Sequence, residues 1–198
     1  MRQQLIHALA ARLGSTIDKE TALSLVAELF PDVTWRPTCF GVGEYRGYSL
    51  QCELLADVLS ELHVLHDAHY AETEKYRAGI PMDPDYEGMK EAERAGRLIQ
   101  FTARLKETGE LVGNMRVKIY PSSHTQTLVC KEDTLYLLPA HRGGFLAVRL
   151  WQFVEAAVVN VVGVREVRFT SKTANKADSM ARYMKYQPVG IEFVKTFF

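Results

Sequence analysis

The sequence predicts a mixed α/β fold, and three observations point to it. Leu98–Leu105 and Leu111–Tyr120 are apolar-rich runs of strand length joined by Lys106-Glu107-Thr108-Gly109-Glu110, a hairpin signature. Leu135-Tyr136-Leu137-Leu138 reads as a buried strand that stops at Pro139, which has no backbone donor to continue a ladder. Leu146, Leu150, Phe153, Val154, Ala157, Val158 and Val161 then recur with a helical period, giving the broad apolar stripe of a core helix.

Residues 2–13 and 18–30 read as two short amphipathic helices. Leu5, Ile6, Leu9 and Leu13 share a face of the first, and Leu25, Val26 and Leu29 share a face of the second. Gly14-Ser15-Thr16 separates them, with Asp18 a possible cap and Pro31 a stop. Thr34–Gly47 holds Pro37, Gly41, Gly43 and Gly47 and reads as a linker. The expected organisation is therefore a helical extension over residues 1–45 and a domain over 46–198. Tyr48, Leu50, Cys52 and Leu54 alternate with Ser49, Gln51 and Glu53 as in a strand. Asp57 to about Lys75 is expected to be helical, with Val58, Leu62 and Leu65 on one face. Asp83-Pro84 is expected to open a second helix that Gly96 closes. After the stripe-bearing helix, Gly163 marks a stop. Val164–Thr170 reads as a strand, Lys176–Met184 as a helix and Val189–Phe198 as a terminal strand. The predicted order after the extension is β-α-α-β-β-β-α-β-α-β.

Composition narrows the class. The chain has 198 residues, 47% hydrophobic and 24% charged, as in a globular domain with a real core. Lys+Arg and Asp+Glu are equal at 24 each, so no global basic field argues for nucleic acid. Arg165, Arg168 and Lys172 are more simply a solvated face. Cys39, Cys52 and Cys130 are widely spaced and form no CxxC pair, which suits buried thiols in a reducing compartment. The N-terminal MRQQLIHALAARLG is interrupted by polar residues and is not expected to be a signal peptide. The run Ala156-Ala157-Val158-Val159 with Val161-Val162 is too short to span a bilayer. The expectation is a soluble cytoplasmic protein with no membrane contact.

The most informative stretch is Asp133–Arg149, DTLYLLPAHRGGFLAVR. A strand, then Arg142-Gly143-Gly144, then a helix start presents bare backbone N–H groups and a positive dipole end to a phosphate. The glycines allow close approach and the arginine adds charge, which points to a nucleotide-like ligand carrying a pyrophosphate. An ordinary tight turn between strand and helix is the competing reading.

This order of elements, with the loop after the fourth strand, resembles the GNAT superfamily of acyl-CoA-dependent N-acetyltransferases over roughly Tyr48–Phe198. Arg142 and Ala147 match the ends of that superfamily's cofactor motif, while Phe145 stands at its middle glycine position and Gly144 comes one residue early. Asn175 and Tyr186-Gln187-Pro188-Val189 also resemble family segments. His69-Tyr70-Ala71-Glu72, Ile80-Pro81-Met82-Asp83-Pro84-Asp85, Ala95-Gly96-Arg97-Leu98 and Leu111-Val112-Gly113 resemble a bacteriophage-encoded subgroup. The resemblance implies a mostly antiparallel central sheet flanked by helices and transfer of an acetyl group from acetyl-CoA to a primary amine of a protein or small molecule. A catalytically inactive, virion-associated scaffold is the alternative.

The resemblance also implies roles for particular residues. The pantetheine arm is expected along Leu135–Leu138, with the oxyanion on a backbone N–H near Leu137 or Leu138. The pyrophosphate is expected on the N–H groups of Gly143, Gly144, Phe145, Leu146 and Ala147, with Arg142 as counter-charge and Asn175 nearby. Tyr183 is the nearest candidate general acid, one residue beyond the usual spacing. His69, Glu72 and Asp133 are the candidate bases. His63, His66, His69 and Glu72 recur every third residue, but such positions drift around a helix, and no metal is expected. His124 is a possible acceptor contact, or a plain turn histidine. Residues 1–45 are expected to serve self-association or docking to a phage or host protein.

Overall fold

The computed structural model describes residues 6–7, 9–14, 16, 18–29, 35–77, 79–172 and 178–195. By compactness the chain divides into Met1–Thr34 and Trp35–Phe198. In the first unit, α1 spans Lys19–Leu29. It is capped as expected by Asp18, whose Oδ1 accepts from Thr21 N at 2.8 Å.

The second unit is built on one six-stranded sheet in the order β1-β2-β3-β4-β5-β6. The strands are β1 Val42–Tyr45, β2 Tyr48–Cys52, β3 Leu98–Leu105, β4 Leu111–Pro121, β5 Leu128–Leu137 and β6 Glu166–Arg168. Neighbours from β1 to β5 are antiparallel, and β5 and β6 are parallel. Helices α2 (Leu55–Thr73) and α3 (Tyr86–Arg94) follow β2. Helix α4 (Leu146–Ala157) joins β5 to β6, runs on as a π-helical turn over Val158–Val162, and stops at Gly163 with φ +80°. Helix α5 covers Asp178–Tyr183. The mixed α/β expectation holds.

Several boundaries differ from the sequence reading, each for a physical reason. β1 lies inside the expected linker and upstream of the expected boundary at residue 45. Its glycines suggested a loop, but Val42–Tyr45 pair with Tyr48–Gln51. Gly43 is a close-approach glycine, because a Cβ there would sit 2.8 Å from the Phe153 ring. β5 starts at Leu128, well before the apolar run at Leu135. Its charged middle is explained by a bulge, since Arg116 faces Thr134 while Val117 faces Glu132, leaving Asp133 as the extra residue. Helix α3 is capped by Asp85, whose Oδ1 accepts from Gly88 N at 2.9 Å, not by Asp83. The terminal strand is not formed over residues 189–195, where Val189, Ile191 and Phe193 are exposed. β6, only three residues long, gives such a strand little edge to pair with.

The two faces of the sheet differ in chemistry. One is apolar: Phe101, cross-strand from Met115, meets Phe153 of α4 edge-on at 6.0 Å. Leu150, Trp151 and Val154 of α4 are fully buried. Burial of each such side chain contributes about 2 kcal/mol. The other face holds Leu55, Val58, Leu62 and Leu65 of α2 against Leu111 and Tyr136. That face also carries buried Gln100, Thr102, Asn114, Arg116 and Thr134, cross-strand neighbours in the rows that include Tyr136. Glu93 of α3 caps α2, with both carboxylate oxygens accepting from Leu55 N at 3.0 and 3.1 Å. This fixes the helix that brings His69 and Glu72 over Tyr136.

Candidate active site

The site is built from the end of β5, the loop after it and the C-terminal half of α2. Leu138 N–H turns towards β4 and donates to Val112 O at 2.9 Å. Alternation along a strand then points the N–H groups of Leu137 and Leu135 the other way. Pairing between β5 and β6 ends at Lys131–Arg168, so among the described residues the β5 edge beyond that point has no strand partner. Leu138 N–H is therefore committed to the sheet, and the outward N–H groups of Leu135 and Leu137 are the ones a ligand can meet. From Leu137 to the bulge at Asp133 an extended strand runs about 13 Å, a length suited to an extended pantetheine arm.

A short 3-10 turn, Pro139–His141, leads from β5 into the loop. Tyr48 OH meets His141 Nδ1 at 3.0 Å and ties that turn to β2. Gly143 has φ +88°, a conformation that favours glycine, so its first role is to make the turn. A Cβ on Gly144 would meet nothing within 4 Å, so the loop is open on that side. Phe145 is the N-cap of α4, and its side chain makes no capping hydrogen bond to the N–H groups of the first turn. The loop and the free strand edge fit an acyl-CoA.

Arg142 is placed differently from the expectation. Its guanidinium donates to both carboxylate oxygens of Glu72 at 2.8 Å and, through Nε, to Leu137 O at 2.8 Å. It also lies 4.8 Å from the centre of the Tyr136 ring. The arginine thus braces α2 against the end of β5.

The three expected bases are brought to one region, but none is poised to take a proton near neutrality. Hydrogen bonding to Arg142 holds the Glu72 carboxyl below the usual range. Burial, with Lys172 and Arg116 nearby, pushes His69 down to about 4; its ring sits 5.5 Å from that of Tyr136. Burial opposes the charge of Asp133, but Arg116 at 2.7 Å and Lys118 at 2.6 Å outweigh it and keep the carboxyl low. His66 is likewise pushed to about 4 by burial, and its Nδ1 meets Tyr86 OH at 3.1 Å.

Glu132, which the sequence reading passed over, is the exception. It lies next to the bulge and one residue beyond the last β5–β6 pair. Burial pushes its carboxyl up to about 7, opposed in part by the backbone N–H of Thr170 and reinforced by Asp133. A partly buried carboxyl poised near neutrality at the fork of two strands has the pKa expected of a general base. The signal in the sequence was a lone glutamate in phase with Cys130 on a strand that begins at Leu128.

Tyr183 ends α5 and is 61% exposed, with its ring 5.7 Å from that of Phe145, which is 50% exposed. Asn175 lies outside the described residues. His124 sits in a turn where its N–H donates to Ser122 Oγ at 3.3 Å. Among the described residues, no group of three His, Cys, Asp or Glu side chains could hold a metal ion. No described helix is long and apolar enough to cross a membrane.

A six-stranded, mostly antiparallel sheet flanked by helices, with a glycine loop leading from β5 into α4, sets the fold class. The Acetyltransferase (GNAT) family model matches residues 63–186, more than half of the chain, and the chain belongs to that family. No curated protein sequence matches it. Solved structures agree on the fold. A ribosomal-protein-alanine N-acetyltransferase from Brucella melitensis biovar Abortus 2308 is 20% identical, with TM-score 0.56, over 76% of this chain and 99% of that one. AAC(6')-Iy bound to a CoA bisubstrate analog is 17% identical, with TM-score 0.58, over the same shares of 76% and 99%. Glucosamine-6-phosphate N-acetyltransferase from Arabidopsis thaliana is 13% identical, with TM-score 0.57, again over 76% and 99%.

Proposed function

We propose that this protein transfers the acetyl group of acetyl-CoA to a primary amine on a protein or small molecule. The observation that carries the proposal is the coincidence of an open glycine loop, an unpaired β5 edge and a near-neutral carboxyl, Glu132, at the far end of that edge. Acetyl-CoA supplies the activated acyl carbon when bound. The N–H groups of Gly143–Ala147 hold its pyrophosphate, and the outward N–H groups of Leu135 and Leu137 align the pantetheine arm. Glu132 accepts the proton that an acceptor ammonium must lose before it can attack. The outward N–H of Leu135, close to the bulge, is the oxyanion donor. Glu72, Arg142 and His69 shape the acceptor side and do not exchange the proton.

Calorimetry with acetyl-CoA, followed by thiol release with an aminoglycoside, an amino sugar and a peptide N-terminus, tests the proposal. Saturable binding with amine-dependent thiol release supports it. A folded chain that binds no acetyl-CoA returns the reading to a non-catalytic GNAT-fold component, such as part of a phage particle. The commitment of Arg142 to Glu72 is the observation that favours this second reading.

A further inference from the structure

Phe145 in the phosphate loop and Tyr183 near the end of α5 both stand off the pattern that the sequence resembles, and the structure brings the two together. Their ring centroids are 5.7 Å apart, tilted by 54°, although both residues are half exposed or more. A ring pair left this open does not serve the core. Phe145 is the N-cap of α4, so a ligand on the N–H groups of the helix's first turn lies beside its ring. Tyr183 reaches the same place from another element. Beyond it the chain is anchored, because Trp151 Nε1 donates to Tyr186 OH at 2.7 Å and the two rings meet edge-on at 5.7 Å. The pair therefore spans from a loop that needs Gly143 to turn to a short helix tethered just past Tyr183. The open space above Gly144 lies next to it.

We propose that Phe145 and Tyr183 form an aromatic clasp over the acyl-CoA chain, parting to admit it and closing on it once the pyrophosphate is seated. The clasp rests on the acetyl-CoA reading above and adds to it a residue pair that governs entry and residence. Two rings with open faces suit the methyl and amide groups of pantetheine, and the contact is renewed on the ligand when it is lost between the rings. Tyr183 acts through its ring, so its hydroxyl is dispensable for binding.

Stopped-flow binding of CoA to the full chain tests this, with wild type, Phe145→Ala, Tyr183→Ala, Tyr183→Phe and the double alanine variant. Exposure of both rings leaves the fold intact, which is checked by cooperative melting. Both single alanine variants should raise the association rate and also raise the dissociation rate, the latter by about tenfold. The double variant should add little to either, and Tyr183→Phe should bind with wild-type kinetics. General damage to the site would not speed association. Dissociation within twofold of wild type in both alanine variants overturns the clasp and leaves the acetyl-CoA reading standing. Failure of the wild-type chain to bind CoA overturns both.

Discussion

Replacing Glu132 by Gln should make the protein more stable and slower, and both effects have one origin. The carboxyl moves from an ordinary value of 4.5 to about 7 in the fold because burial penalises its charge. The folded state therefore holds this proton more tightly than the unfolded chain does. Between pH 4.5 and 7 the native state binds more protons, so stability falls as pH rises through that window and levels off above it. The displacement corresponds to at most about 3 kcal/mol, less whatever solvent reaches the partly exposed carboxylate. Glutamine has no proton to lose and keeps its stability. Urea melts of the two proteins should nearly coincide at pH 4 and diverge to the full difference by pH 8, with the variant the more stable. In turnover the variant should lose about 10²–10⁴ in the rate of amine acetylation, along with the inflection near pH 7 in kcat/KM. A stability difference independent of pH, or a wild-type inflection surviving in the variant, would refute the reasoning.

Histidine titration followed by NMR should find His66 and His69 neutral at pH 6 and charging only near pH 4, as burial dictates. Because the native state binds fewer protons there, acid should cost stability as pH falls from 6.5 towards 4. Gly113→Ala should destabilise by about 1–3 kcal/mol, since its Cβ would come 2.1 Å from a Leu137 methyl. Combining it with Leu137→Ala should remove that clash, and a double variant whose losses merely add would count against it. Glu93→Ala should lower the urea midpoint by the equivalent of about 1 kcal/mol by uncapping Leu55 N. Glu72→Ala should change stability by less than about 1 kcal/mol, because its pair with Arg142 is more than a third exposed on both sides.

What could be read from the sequence was whatever a single element encodes. The hairpin of β3 and β4, the glycine loop and the apolar stripe of α4 each carry their signal within a few residues. β1 was hidden because Gly43 serves a contact with Phe153, far away in the chain, and the glycine suggested a linker. The first half of β5 was hidden because a bulge places Lys131, Glu132 and Asp133 consecutively, so the alternation that marks a strand is lost. The site divides in the same way. The phosphate loop was legible as a loop. The partnership of Arg142 with Glu72, the neutralising environment of His69 and the raised Glu132 arise only when α2 and the end of β6 come against β5. The pairing of Phe145 with Tyr183 belongs to the same class: two positions that look like separate departures from a motif become one contact in space.

The central claim is that CoA lies along the free edge of β5 from the glycine loop to the bulge. It is tested most directly by titrating CoA into uniformly ¹⁵N-labelled protein and following backbone amides. Saturable shifts at Gly143–Ala147 together with Leu135 and Leu137, and unchanged amides in α1 and β1, are the predicted result. Absence of saturable shifts, or shifts confined to another surface, would contradict it.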